Sequence, residues 1–230
     1  MSNEEDLKVY NDISEIDSNI GVDNNEMTMD ISLIGNSSTG KTSIIKTYKN
    51  KKFVFDVKTT IGFDYEFFPV KLSNDEKIIL KIIDTAGTEQ YRSLCLNMLR
   101  NNKGVILVYS INDKKSFDDI ANYWISEIND YIQKDAVIYL VGNKSDLKDN
   151  REISFEEGNL FAKNNDIKFM ETSAKNNENI KELFKNIAED IYIKFFSQKN
   201  NNNDIDDIHD SIIKLNNNKS KKHKYRCCKK

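Results

Sequence analysis

The chain has 230 residues, 38% of them hydrophobic and 31% charged, a composition that excludes collagen-like and wholly disordered classes. Its net charge of −3 conceals an asymmetry: residues 1–30 hold nine acids against one base, and residues 214–230 hold eight bases and no acid. A near-neutral body between such ends argues against broad nucleic-acid binding and points the basic end at an anionic surface. No run approaches the roughly 18 apolar residues of a membrane-spanning helix; the most apolar one, Gly104–Tyr109, has the length of a strand. The acidic start, Met1–Asp6, predicts no secretory signal, transit peptide or N-myristoylation. Three cysteines, Cys95 and the adjacent Cys227 and Cys228, predict a reducing compartment and no disulfide framework.

In chain order, residues 1–27 read as an acidic, flexible extension, 28–196 as one domain, and 197–230 as a flexible tail that turns basic. Within the domain, apolar runs predict strands at 31–34, 78–83, 104–109, 136–141 and 167–170. A helical segment, Ser43–Tyr48, follows the first. Residues 63–72 alternate and, through the turn cluster 73–76, form an antiparallel hairpin with the strand at 77–83. Phe117, Ile120, Ala121, Trp124, Ile125 and Ile128 recur at helical spacing, as do Ile180, Leu183, Phe184, Ile187, Ile191 and Phe195. Strands alternating with helix-length segments imply an α/β fold: a six-stranded, mostly parallel sheet with one antiparallel edge strand and about five helices.

Gly35-Asn-Ser-Ser-Thr-Gly-Lys41-Thr42 satisfies G-x-x-x-x-G-K-[ST], directly after a strand and opening a helix. In that setting the backbone N–H groups of Gly35, Ser38, Thr39, Gly40 and Ser43 face phosphate oxygens, and the helix dipole favours negative charge. Lys41 adds a point charge and the Thr42 hydroxyl can ligate Mg2+. The loop alone leaves ATPases, kinases and GTPases open. Asn143-Lys-Ser-Asp146 follows a buried strand at the carboxyl edge of the sheet. A carboxylate there accepts two hydrogen bonds from the N1–H and N2 edge of guanine, a donor pair that adenine lacks. Lys144 can lay its stem over the base. Thr172-Ser173-Ala174-Lys175 offers a backbone N–H to the guanine O6.

With these motifs in order, residues 28–196 resemble the Ras superfamily of small GTPases, and Thr60-Ile-Gly62 and Asp84-Thr-Ala-Gly87 extend the match. The resemblance implies GTP/GDP and Mg2+ as cofactors. It implies that Thr42, Thr60 and Asp84 hold the metal, that Thr60 and the Gly87 amide contact the γ-phosphate, and that Phe53 stacks on guanine. Lys41, Thr60, Gly87 and Thr88 make up the expected catalytic set, in loops that lose their anchor when the γ-phosphate leaves. Two positions depart from the family. Thr88 stands where most members carry the Gln that orients water, as in the Rap branch, so slow intrinsic hydrolysis that depends on an activating protein is expected. Ser38 replaces a customary Gly, at about 1 kcal/mol if its φ is positive.

Ile61–Tyr65, Leu107–Tyr109 and Lys114–Phe117 resemble the Rab branch, although Ile83 and Met98 replace aromatics that Rab effectors read. Tyr65, Ile83 and Met98 form either a partner surface or interior packing. Cys227-Cys-Lys-Lys230 resembles the CCxx ending that receives two geranylgeranyl groups, beside the basic patch Lys219, Lys221, Lys222, Lys224 and Arg226. Ile212-Ile-Lys-Leu215 resembles the pair by which Rab tails meet their escorts. The resemblance implies a vesicle-trafficking switch with an exchange factor, an activating protein, effectors, and prenyl escort and dissociation-inhibitor proteins as partners. Its location would be the cytoplasmic face of intracellular membranes, with a cytosolic pool. The alternatives are a Ras- or Rap-like signalling switch, a nucleotide-binding module with negligible turnover, and, disfavoured by Asp146, an ATPase or small-molecule kinase. Cys95 reads as core filler and Trp124 as part of an apolar helix face; His209 and His223 lack the neighbours of a metal site.

Overall fold

Runs of β-branched residues that are apolar on both sides belong inside a parallel sheet covered by helices, and the computed structural model places them so. It describes residues 27–50, 52–53, 60–87 and 92–196, the side chains of 92–94 excepted. Thr88, the N-terminal extension and the tail with its cysteines and histidines lie outside the described residues.

Six strands make one sheet: β1 (Met27–Ile34), β2 (Phe63–Lys71), β3 (Lys77–Thr85), β4 (Gly104–Ser110), β5 (Val137–Asn143) and β6 (Lys168–Thr172). Their order is β2-β3-β1-β4-β5-β6, parallel throughout except for the β2–β3 pair. The antiparallel strand lies at the edge, where Pro69 can lack an N–H without breaking an interior ladder. Around the sheet the described residues form five helices: α1 (Lys41–Asn50), α2 (Arg92–Met98), the rod α3, α4 (Phe155–Asn164) and α5 (Ile180–Phe195). The rod α3 comprises Lys114–Asp119, a π turn over Ile120–Trp124, and Ile125–Tyr131. None of the described helices is long and apolar enough to cross a membrane.

Every residue of β4 is buried, and its side chains alternate between two cores. Ile106 and Val108 pack with Ile44 of α1 and with Leu183, Phe184 and Ile187 of α5. Val105, Leu107 and Tyr109 pack with Phe117, Ile120, Trp124 and Ile128 of α3 and with Ala162 of α4. Strand β4 thereby has both faces covered, and the polar chemistry gathers at the carboxyl edge of the sheet. Helix starts are chosen by local chemistry. Asp113 caps α3 by accepting from the Ser116 N–H, and Ser154 caps α4 by accepting from the Glu157 N–H.

Ile83, one of the three residues weighed as a partner surface, is 4% exposed and belongs to the interior. Tyr65 and Met98 are half-buried. Tyr65 stands edge-on to Phe67 with their ring centres 5.7 Å apart, and the Lys81 ammonium lies 5.4 Å from the Tyr65 ring centre.

Candidate functional site

The loop between β1 and α1 turns back on itself through three positive φ angles, Gly35 at 141°, Ser38 at 63° and Gly40 at 96°. Ser38 therefore does occupy the left-handed region that disfavours a side chain, at about 1–2 kcal/mol. Gly40 has no room for one: a Cβ there would lie 2.3 Å from Asn143 Nδ2. Lys41 is 5% exposed, and its ammonium donates to the Gly35 and Asn36 carbonyls at 2.7 and 2.8 Å. Burial pulls its pKa down to about 8, against the opposing pull of the Asp84 charge. The loop thus encloses a cation held by its own carbonyls at the mouth of α1, an arrangement suited to an anion arriving at a helix N-terminus.

Asp84, at the carboxyl end of β3, accepts from the Thr42 hydroxyl at 2.6 Å and from the Thr60 hydroxyl at 3.3 Å, both on Oδ2. The two hydroxyls are themselves 2.9 Å apart. Asp84 Oδ1 is buried with no hydrogen-bond partner among the described residues. Burial raises the carboxyl pKa, while the bonds from Thr42 and Thr60 and the Lys41 charge act the other way. Three converging oxygen groups and one orphaned carboxylate oxygen fit a small hard cation, which takes few protein ligands and keeps waters or phosphate oxygens. The described residues contain no cluster of three His, Cys, Asp or Glu.

At the far end, Ser173 Oγ donates to Asp146 Oδ1 at 2.5 Å, and Lys175 Nζ lies 3.8 Å from Asp146 Oδ2. Asn143 works between the two ends. Its Nδ2 donates to the Thr39 carbonyl at 2.9 Å, and its Oδ1 accepts from Thr172 Oγ1 at 3.2 Å and from the Ala174 N–H at 3.3 Å. The phosphate loop and the 172–175 segment are thereby tied through one carboxamide. Lys144 adopts a φ of 68°, and half-burial lowers its pKa.

These parts enclose one cavity of about 320 Å³. Of the residues expected from sequence, Ser38, Gly40, Lys41, Thr42, Ser43, Phe53, Thr60, Gly87, Asn143, Lys144, Asp146, Ala174 and Lys175 line it. Gly35, Thr39, Asp84 and Ser173 stand behind that lining and hold it. Ser37, Thr85 and Leu147 also line the cavity and were not anticipated, being neighbours of motif residues with no chemical signature of their own. Gly87 sits so close to the phosphate loop that a Cβ would lie 2.4 Å from the Ser37 nitrogen.

The Ras family profile matches residues 30–193. Ras-related protein Rab-8B of Homo sapiens is 37% identical over 196 residues, covering 85% of this chain and 93% of that protein. Ras-related protein Rab-12 of Mus musculus is 38% identical over 170 residues, 74% of this chain and 69% of that protein. GTP-binding protein ypt2 of Schizosaccharomyces pombe is 36% identical over 159 residues, 69% of this chain and 78% of that protein. The chain therefore belongs to the Ras family. Within it, the chain is a Rab-like small GTPase of vesicle trafficking, with GTP, GDP and Mg2+ as its cofactors and with regulators and effectors as its partners.

Proposed function

We propose that the chain is a Rab-type switch with slow intrinsic turnover, holding guanine nucleotide in the cavity between the phosphate loop and Asp146. The observation that carries the reading is the convergence on one cavity of Lys41, the Thr42 and Thr60 hydroxyls backed by Asp84, and the Asp146 carboxylate. In this reading Asp146 selects guanine, Phe53 and Lys144 flank the base, and Ala174 meets the guanine O6 through its N–H. Lys41 and the loop amides from Gly35 to Ser43 hold the phosphates, while Thr60 and the Gly87 amide sense the γ-phosphate. Thr42, Thr60 and Asp84 hold Mg2+, which when bound neutralises charge on the β- and γ-phosphate oxygens. Titration of refolded full-length chain with GDP and GTP in magnesium, followed by calorimetry, tests the reading; absence of uptake overturns it.

Hydrolysis needs a group that orients water, and Thr88 is too short to reach as a Gln amide does. An activating protein is the expected supplier of that group. In single-turnover assays Thr88→Gln is expected to raise intrinsic hydrolysis at least about tenfold. An unchanged rate counts against the assignment. Should neither the variant nor an activating protein produce turnover, the chain is a binding module, a reading that the strained Ser38 favours.

For the tail, we infer two geranylgeranyl groups on Cys227 and Cys228 and attachment to the cytoplasmic face of endomembranes, with escort and dissociation-inhibitor proteins carrying a cytosolic pool. One chain anchors marginally, whereas two chains with a basic patch anchor stably. The double substitution Cys227→Ser, Cys228→Ser is expected to move the protein wholly to the supernatant of a membrane pelleting assay. Mass spectrometry of the wild-type tail separates two prenyl groups from the single group of a Ras- or Rap-like protein.

A further inference from the structure

The π turn in α3 is closed by the Ile125 N–H donating to the Ile120 carbonyl. Such turns are rare and concentrate at functional sites. This one lies against the phosphate loop. Asn36 Nδ2 donates to Asp119 Oδ2, and Trp124 Nε1 donates to Asn36 Oδ1 at 3.4 Å. Asp119 and Trp124 are five positions apart. On an α-helix they would point about 140° away from each other, and one loop residue could not meet both. A π turn closes its hydrogen bonds between positions five apart, which brings such a pair onto one face. Trp124 is 1% exposed and packed in the core with Phe117, Ile120 and Ile128, so the contact has a rigid base.

Asn36 is a consequential place to hold. Its carbonyl accepts from Thr39 Oγ1 at 3.0 Å as well as from Lys41. Two residues on is Ser38, at a φ of 63°, and on the other side Gly87 presses against the Asn36–Ser37 peptide. A backbone in a disfavoured region persists only where its surroundings over-determine it. The Asn36 carboxamide matches its two partners, its donor end facing a carboxylate and its acceptor end an indole N–H.

We propose that Asp119 and Trp124 are positioning residues for the phosphate loop, gripping Asn36 from the π turn and so holding the loop in its nucleotide-binding conformation. This rests on the reading that the loop binds the phosphates of guanine nucleotide. The test measures GDP release from magnesium-loaded, full-length wild type, Asn36→Asp, Asp119→Asn and the double variant. Asn36→Asp sets two carboxylates face to face and is expected to release GDP at least about tenfold faster. The double variant restores an amide–carboxylate pair with its polarity reversed, and Trp124 can still donate. Its release is expected within about threefold of wild type. Trp124 is the chain's single tryptophan, so its emission reports the grip directly, changing in Asn36→Asp and returning in the double variant. Should Asn36→Asp fail to fold, Asp119→Ala removes the grip without adding repulsion and is expected to release GDP at least about threefold faster. Wild-type release rates in Asn36→Asp, or a double variant no slower than Asn36→Asp, would overturn the proposal. A wild type that takes up no GDP at all would overturn the nucleotide reading and, with it, this one.

Discussion

Asp146→Asn is expected to weaken GDP binding by about a hundredfold or more while improving the binding of xanthosine diphosphate. The Asp146 side chain is 10% exposed, and its Oδ1 is already oriented by the Ser173 hydroxyl. A fixed carboxylate can accept from both guanine donors, N1–H and the exocyclic amine, each a bond to a charged acceptor worth about 1.5–3 kcal/mol. Asparagine keeps one acceptor and puts a donor opposite the amine, so one bond becomes a clash of two N–H groups. Loss of the charge-assisted pair, at about 3 kcal/mol, corresponds to about two decades in Kd. Xanthine carries a carbonyl where guanine has its amine, and the same carboxamide then pairs at both ends. Calorimetry with the two diphosphates on both proteins reads the result. Unchanged GDP affinity would remove Asp146 from the base site.

Whatever depended on local chemistry or on long apolar runs was legible in the sequence. The strand at 104–109 and the helix at 180–195 were found almost to the residue, because total burial leaves a run with no polar interruption and a long amphipathic helix repeats its period several times. The first strand begins at Met27, four residues earlier than its apolar run, because Met27 to Asp30 pair with Ile78 to Lys81 and polar side chains are tolerated near the end of a ladder. The sequence predicts no boundaries for helices α2 and α4. The first is only seven residues long, and Phe155 and Leu160 are exposed on α4, which blurs its amphipathic pattern.

The motifs placed the site, but not the way its parts support each other. Asn143 was expected beside the base; in the fold it ties the Thr39 carbonyl to the 172–175 segment, a role that needs β1 and β5 laid in one sheet before it can be seen. Asn36 passed as an unremarked x in the motif, because its partners lie 83 and 88 positions away. The π turn was invisible for a related reason: Ile120, Trp124 and Ile128 remain four apart across it, so the apolar spacing reads as plain α-helix while the backbone winds differently.

Lys41→Met is expected to weaken GDP and GTP binding by at least about a thousandfold while changing the stability of the nucleotide-free protein far less. The two outcomes have one origin. Burial has pulled the ammonium from a pKa of 10.5 to about 8, so keeping it charged at neutral pH works against the fold by about 3 kcal/mol. Methionine removes that penalty and fills similar space with an unbranched chain, but it strips the Lys41 donor from the Gly35 carbonyl, at about 1–3 kcal/mol, while the Asn36 carbonyl keeps the Thr39 hydroxyl. The opposing effects largely offset each other in the empty protein. Nucleotide changes the balance, because a phosphate beside the ammonium turns the buried charge into a buried ion pair with several hydrogen bonds. Without Lys41 the phosphates lose that ion pair and keep only the loop amides and the metal. Thermal unfolding with and without GDP and magnesium separates the terms. Wild type should show a Tm that climbs with ligand concentration, as ligand binding to the native state requires. Lys41→Met should begin near the wild-type nucleotide-free Tm and stay there. A variant that still climbs with GDP would show that the loop amides alone hold the phosphates. A variant already unfolded without ligand would show that the two carbonyls, and not the nucleotide, are what Lys41 principally serves.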